Sequence, residues 1–441
     1  MDPVLLFLLG FATIFIVGIA GELVFERTSV PDVVWLLLVG ILIGPVFGVV
    51  RREDLMAVGP YFGALTLVVV LFDGGRQLRL GDVSRSLPRA SLLAVSGFLF
   101  NVVVMALASL GAAALGFLPS QWTVMHGVIL GAILGGSSSV VIMPALAKAR
   151  LEPRLSAMVS LESALTDVLC VVVTVACIDI VASGSGGMDR GAIILGRSFG
   201  IGLGTGLAAG LLWVLFMGLI RRVGNAYAAT LSILLLLFVG VSLLGGNAAL
   251  AILAAAIVVG NAPALSQALG FREPVALDDE VQDTHSQVTF IVKSFFFTFI
   301  GAMLGPPWGL VALGLLFAVL LFLARVPAAA LSTWGGGFTP AERQLVGVMM
   351  PRGMAAGVLA LMPYGAGVPG TEFLPVVAFS VVLGSIAIFA VGFPLARRGA
   401  AAPPPGASPP GAPPASSEPA GPLAERPTEP GVASAPAREG G

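Results

Sequence analysis

Thirteen nearly uninterrupted apolar runs, all but the short ninth about long enough to match the thickness of a lipid bilayer, follow one another through residues 1–398 of this chain. They lie near 4–25, 31–50, 59–80, 90–117, 122–147, 155–183, 194–220, 227–244, 247–262, 286–305, 308–332, 343–364 and 372–396. A helix crosses the roughly 30 Å hydrocarbon core with about 20 residues. In lipid the backbone N–H and C=O groups have no water to bond, so runs of this kind have to be helical. The expected fold is therefore an all-α polytopic membrane protein with about 13 transmembrane helices. Composition agrees: 57% of residues are hydrophobic and 11% charged, where soluble chains carry about 25% charge. At a mean hydropathy of +1.00 there is too little polar surface to cover a globule. That excludes a soluble enzyme or a secreted domain. With 23 basic and 24 acidic residues, no basic field exists to hold nucleic acid.

The connections carry an orientation signal. Met1 to Val24 is apolar without the basic start and small-residue cleavage site of a secretory leader, so it reads as the first span. With the N-terminus placed outside, the cytoplasmic connections and the C-terminal segment hold seventeen Lys and Arg residues, Arg325 and Arg343 of the eleventh connection among them. The outside connections hold four: Arg51, Arg52, Arg190 and Arg197. Such a bias fits a plasma-membrane protein with its C-terminus in the cytoplasm. Two cations are left over inside apolar runs, Lys293 and Arg352.

From 399 to 441 the composition turns to Pro, Ala, Gly, Ser and Glu. Such a stretch buries too little apolar area to offset ordering and is expected to be a disordered cytoplasmic tail. The glycines at 200, 202, 204 and 206 sit inside an apolar run with no preceding strand. They read as a helix-packing stripe rather than a dinucleotide loop. Cys170 and Cys177 share one apolar run, which supports neither a disulfide framework nor a thiolate metal site. No cofactor is expected.

Ionisable groups inside lipid cost several kcal/mol and need a partner or a task. Glu22, Asp73 and Asp179 fall near run ends, where solvation suffices, and His126 and His285 are read the same way. The sixth run differs. Ser156, Ser160, Ser163 and Asp167 share one helical stripe, with Glu162 and Thr166 on the adjacent one. At about 1.5 Å per residue, Asp167 lies roughly 20 Å along the helix from Arg154 and 18 Å from Asp179, near the midplane. That face must look into the bundle or a watery cavity. Glu162 suits either a structural ion pair or a ligand role; Asp167, with no cation near it in sequence, points to function.

Two runs carry helix-weakening sequences in their middles. The fifth (122–147) contains Leu134-Gly135-Gly136-Ser137-Ser138-Ser139, and the twelfth (343–364) contains Pro351-Arg352-Gly353 and Pro363. Paired glycines, a serine run and prolines free backbone groups from the helical ladder. Two interrupted helices seven runs apart are the signature of inverted repeats with a midplane site.

Leu71-Phe72-Asp73-Gly74-Gly75, Ser137-Ser138-Ser139-Val140-Val141, Glu162-Ser163-Ala164-Leu165-Thr166-Asp167, Lys293-Ser294-Phe295-Phe296-Phe297 and Pro351-Arg352-Gly353-Met354-Ala355 together resemble the monovalent cation:proton antiporter superfamily. The likeness is to its NhaP-like, sodium/proton-exchanger branch, and it covers residues 1 to about 398. It implies a homodimer, each protomer with a scaffold and a six-helix core in which two broken helices cross. It also implies exchange of Na+ or K+, with Li+ as a further candidate, for H+ at Asp167. Ser163 is implied as a cation ligand. Glu162 is implied as a structural acid paired with Arg352, with Lys293 as a second candidate. Thr166 stands where relatives have Asn or Asp, and serines replace a Thr-Asp-Pro in the fifth helix, which resembles the potassium-efflux-like branch.

The residues themselves supply a mechanism. The oxygens of Asp167 can hold a proton or coordinate an alkali ion, not both, and only a neutralised site crosses the barrier cheaply. Coordination would be completed by Ser163, Thr166, the groups at Ser137, Ser138 and Ser139, and water. A cation channel on the same polar face is the main rival. An intramembrane hydrolase lacks both a midplane Ser–His pair and a second active carboxylate, so no enzymatic activity is expected.

Overall fold

The structure is a computed structural model that describes residues 3–28, 30–77, 87–149, 151, 153–182, 188–220, 226–268 and 279–400. The tail expected from 399 falls, beyond Ala400, outside the described residues. So do Arg79, Arg85, Arg150, Arg221, Arg222 and Arg272 of the connections. Among the described residues all regular structure is helical. In chain order the helices are α1 (Pro3–Thr28), α2 (Asp32–Ile41, continuing into a π-helical turn, Leu42–Val46), α3 (Arg52–Gln77), α4 (Leu87–Ala114), α5 (Val124–Ile133), α6 (Ser139–Ala149), α7 (Pro153–Ala182) and α8 (Met188–Ile220). After them come α9 (Ala226–Leu243), α10 (Ala248–Gly260), α11 (Ala262–Ala268), α12 (Asp279–Met303), α13 (Trp308–Thr333), α14 (Pro340–Val348), α15 (Met354–Gly365) and α16 (Leu374–Ala400).

Helix occupies every one of the apolar runs. Eight helices among the described residues are long and apolar enough to cross a membrane alone, and α10 with α11, bent by 67°, brings the number to nine. The fifth run is interrupted between Ile133 and Ser139, and the twelfth between Val348 and Met354. These are the stretches with the glycine pair and the Pro-Arg-Gly triplet. Both first half-helices begin with the same device. Thr123 and His126 form a capping box on α5, and Thr339 and Glu342 form one on α14, satisfying amides that have no partner within the helix. His126 was expected to be solvated at a span end. Instead it is buried, its Nδ1 accepting from the Thr123 amide at 3.1 Å and its Nε2 2.8 Å from the Pro369 carbonyl.

Packing repeats with an offset of seven runs. The third run packs on the ninth (α3 on α10) as the tenth packs on the second (α12 on α2). The fourth packs on the sixth (α4 on α7) as the eleventh does on the thirteenth (α13 on α16), and α4 and α13 pack on each other. Small residues permit the closest approaches. The glycine stripe of α8 lies against α10: a Cβ at Gly206 would meet the Ala251 carbonyl, and one at Gly202 the backbone of Asn247. This is the packing role expected for the stripe, but only Gly202 and Gly206 perform it: Gly200 and Gly204 point away, with nothing within 4 Å of a Cβ. Gly40 and Gly301 do the same where α2 crosses α12.

Candidate ion site

The two interruptions meet. The Ser138 amide, freed from α5, donates to the Pro351 carbonyl in the other break at 2.8 Å, and Gly353 lies so close to Ser138 that a Cβ would collide with its side chain. A buried backbone carbonyl without a partner costs free energy, and three in the first break find side-chain donors on other helices or in the other break. Gly135 O accepts from Asn101 Nδ2 of α4 at 3.1 Å, Gly136 O accepts from Arg352 Nη1, and Ser137 O accepts from Ser163 Oγ of α7 at 2.8 Å. Thr166 Oγ1 donates to Ser163 O at 3.0 Å and accepts from the Ser137 amide at 3.3 Å. Ser163 and Thr166, expected to bind the cation, thus hold the first break in shape.

Glu162 is wholly buried, and its partner is neither Arg352 nor Lys293. Arg325 of α13 grips it through two parallel bonds, Nη1 to Oε1 at 2.8 Å and Nη2 to Oε2 at 3.0 Å. Ser137 Oγ adds a third bond at 2.9 Å. Arg325 also donates to the carbonyls of Val346 and Met349, where α14 ends. A paired, hydrogen-bonded arrangement of this kind is what allows two charges to be buried at all. Arg325 lies not in a connection, as the charge count expects, but inside α13 with eight residues of helix still to follow. Arg352 is wholly buried too, held by its amide to Ser385 Oγ at 2.9 Å and by Nη1 to Gly136 O. Lys293 is elsewhere: its Nζ lies 2.6 Å from Asp32 Oδ2 and 3.6 Å from Glu22 Oε1, tying α12 to α1 and α2.

Asp167 is left differently. Its carboxylate makes no hydrogen bond or ion pair among the described residues. It lines a small cavity with Gly136–Ser139 of the first break, Gly353–Ala356 of the second, Asp73 and Gly74 of α3, Cys170, and Thr289 of α12. The space open to the centre of a water molecule is about 20 Å³, enough for one water-sized occupant. Ser138 and Ser139 line the same cavity as Asp167.

The sequence reading missed the opposite wall. Asp73, read as a solvated end group, has a side chain only 15% exposed and sits on this cavity. Its Oδ1 accepts from Arg76 at 2.8 Å and lies 3.2 Å from His285 Nε2, whose Nδ1 is 3.2 Å from the Tyr227 hydroxyl. His285 is itself buried. The available signal was that Asp73 and His285 both border apolar runs, a position that fits a solvated end and a cavity wall alike.

A sequence profile described as "Sodium/hydrogen exchanger, transmembrane" matches residues 11–396. A K(+)/H(+) antiporter NhaP2 from Shewanella sp. (strain ANA-3) is 27% identical over 395 residues, which is 87% of this chain and 64% of the relative. Na(+)/H(+) antiporter 1 from Methanocaldococcus jannaschii is 24% identical over 365 residues, 76% of this chain and 78% of that one. The solved structure of the sodium proton antiporter MjNhaP1 from the same organism superposes with a TM-score of 0.66 at 20% identity, covering 89% of this chain and 97% of its own. That likeness bears on the fold alone. The chain thus spans less than two thirds of the length of the potassium/proton relatives it matches.

Proposed function

Because this chain belongs to the sodium/hydrogen exchanger transmembrane family, we propose that it is a secondary antiporter that exchanges a monovalent cation, Na+ or K+, for H+. The observation that carries the reading is the contrast on one helix. Glu162 is fully neutralised by Arg325, while Asp167, five residues on, faces a water-sized cavity with no bonded partner among the described residues. A hard alkali ion takes oxygen ligands. Asp167 supplies the charge, and Ser138, Ser139 and water complete the shell. Ser163 and Thr166 act by positioning Ser137. A proton and a cation compete for the same carboxylate oxygens, so exchange follows from competition at one site. With Glu162 locked in its pair, one proton per cation is the favoured stoichiometry.

Movement is assigned to a seam in the packing. α4–α7 and α13–α16 form one group, and α1–α3, α8–α10 and α12 pack mainly with one another. Asp167 belongs to the first group; Asp73, Gly74 and Thr289 face it from the second. Sliding one group past the other, an elevator-like motion, would carry the neutralised site from one side to the other. Counting α5 with α6, α14 with α15, and α10 with α11 as single crossings gives thirteen spans, with the N-terminus outside a plasma membrane and the C-terminus in the cytoplasm. Moving Arg325 out of the connections leaves that charge asymmetry intact. The homodimer implied by the resemblance belongs to the same proposal.

The test is flux in proteoliposomes carrying an internal pH dye, with Na+, K+ and Li+ added in turn. Wild type should release protons from the lumen on addition of at least one cation, and Asp167→Asn should abolish this while eluting and unfolding like wild type. Retained exchange in Asp167→Asn, or cation current without proton movement, overturns the reading.

A further inference from the structure

Away from the ion site, an open groove of about 400 Å³ runs between α13, α14 and α16, walled by Phe322, Val326, Gly347 and Leu395 and crossed at one end by Arg343. It opens onto a face that also exposes Leu323, Val326 and Leu395, as a lipid-facing surface does. The arginine is set in a specific way. The hydroxyl of Thr333 donates to Ala329 O, and its lone pair accepts from Arg343 Nε at 3.1 Å. That bond orients the guanidinium and leaves both terminal nitrogens without a partner among the described residues. Two adjacent N–H donors in a fixed plane match two oxygens of a phosphate. Arg397 and Arg398 follow directly on the lining residues Leu395 and Ala396 in the last turn of α16, adding positive charge at the same end.

We propose that this groove is a binding site for an anionic phospholipid, with an acyl chain between α13 and α16 and the phosphate on Arg343. A second large surface cavity, of about 510 Å³ and lined among others by Phe11, Phe62, Phe295 and Phe299, has no charged residue in its wall. Arg51 and Arg52 follow on its lining residues Val49 and Val50, but Arg51 is paired with Asp54 and Arg52 donates to the Pro306 carbonyl, so headgroup selectivity distinguishes the two cavities. Gly347 provides a clean way to fill the groove: a Cβ there meets nothing within 4 Å.

The experiment uses the full chain purified in detergent, with native mass spectrometry and thermal unfolding read after adding phosphatidylglycerol, phosphatidylcholine or inorganic phosphate. Phosphatidylglycerol should bind and raise the unfolding midpoint more than phosphatidylcholine, and inorganic phosphate alone should do neither. Arg343→Gln should weaken phosphatidylglycerol binding by about tenfold, bringing it to the phosphatidylcholine level. Gly347→Leu should reduce binding of both lipids, and Arg51→Gln, on the other exposed arginine cluster, should change nothing. Equal phosphatidylglycerol binding in wild type and Arg343→Gln overturns the proposal. So does a full response to inorganic phosphate alone.

Discussion

The two halves of this bundle share one plan but bring opposite charges to their common interior, carboxylates from the first and arginines from the second. Each has an interrupted run, and each first half-helix starts at a threonine capping box. In the first half the break is glycine and serine, and the following helix, α7, brings Glu162 and Asp167. In the second half the break supplies Arg352, α13 supplies Arg325, and α16, which occupies the place of α7, has serines and no carboxylate. The halves are therefore complementary rather than redundant. One acid of the first half is cancelled by a cation of the second, and one is not. That contrast is why exchange is proposed at Asp167, the carboxylate with no cation beside it among the described residues.

Breaking the pair that joins the halves should have the largest effect. Arg325→Ala leaves Glu162 buried with only Ser137 for company, and should cost about 3–5 kcal/mol, read as a lowered unfolding midpoint in detergent. The double variant Arg325→Met with Glu162→Gln should recover most of that loss. Arg352→Ala, which removes no bond to Glu162, should cost less; an equal loss would mean the wrong cation has been paired.

The contact between the breaks gives a smaller effect. Gly353→Ala drives a methyl group into Ser138, and overpacking of this kind costs about 1–3 kcal/mol. Adding Ser138→Gly should relieve the clash, so the two changes together should be milder than Gly353→Ala alone. Additive losses would show that the breaks do not touch.

The matched capping boxes sharpen the comparison most gently. His126→Ala should lower stability by about 1 kcal/mol, the usual cost of losing a cap. His126→Gln keeps an acceptor at the third helical position and should melt close to wild type.

Most of the architecture was legible because its signals are local. Apolar length marks a span wherever the span packs, and Gly135-Gly136 and Pro351 weaken a helix whatever surrounds them. The glycine stripe of α8 was readable for the same reason. Partner choice was not, because it is set in three dimensions. Glu162 could have met Lys293, Arg325 or Arg352, and nothing within its own run selects the arginine 163 positions away. The clue that Arg325 is internal was the apolar stretch continuing past it to Thr333. Asp73 and His285 were misread because a polar group at the end of a run and one on a cavity wall have the same flanking sequence. Ser163 and Thr166 were rightly placed on the polar face, but a stripe cannot tell whether a hydroxyl faces an ion or a neighbouring carbonyl.

The most direct test of competition at Asp167 is the apparent cation affinity of the reconstituted protein as a function of pH. If a proton and a cation exclude each other at one carboxylate, the half-saturating cation concentration should rise by about tenfold per unit of acidification at the acid end, with the maximal rate unchanged. A half-saturating concentration that stays constant with pH while the maximal rate falls would contradict the account.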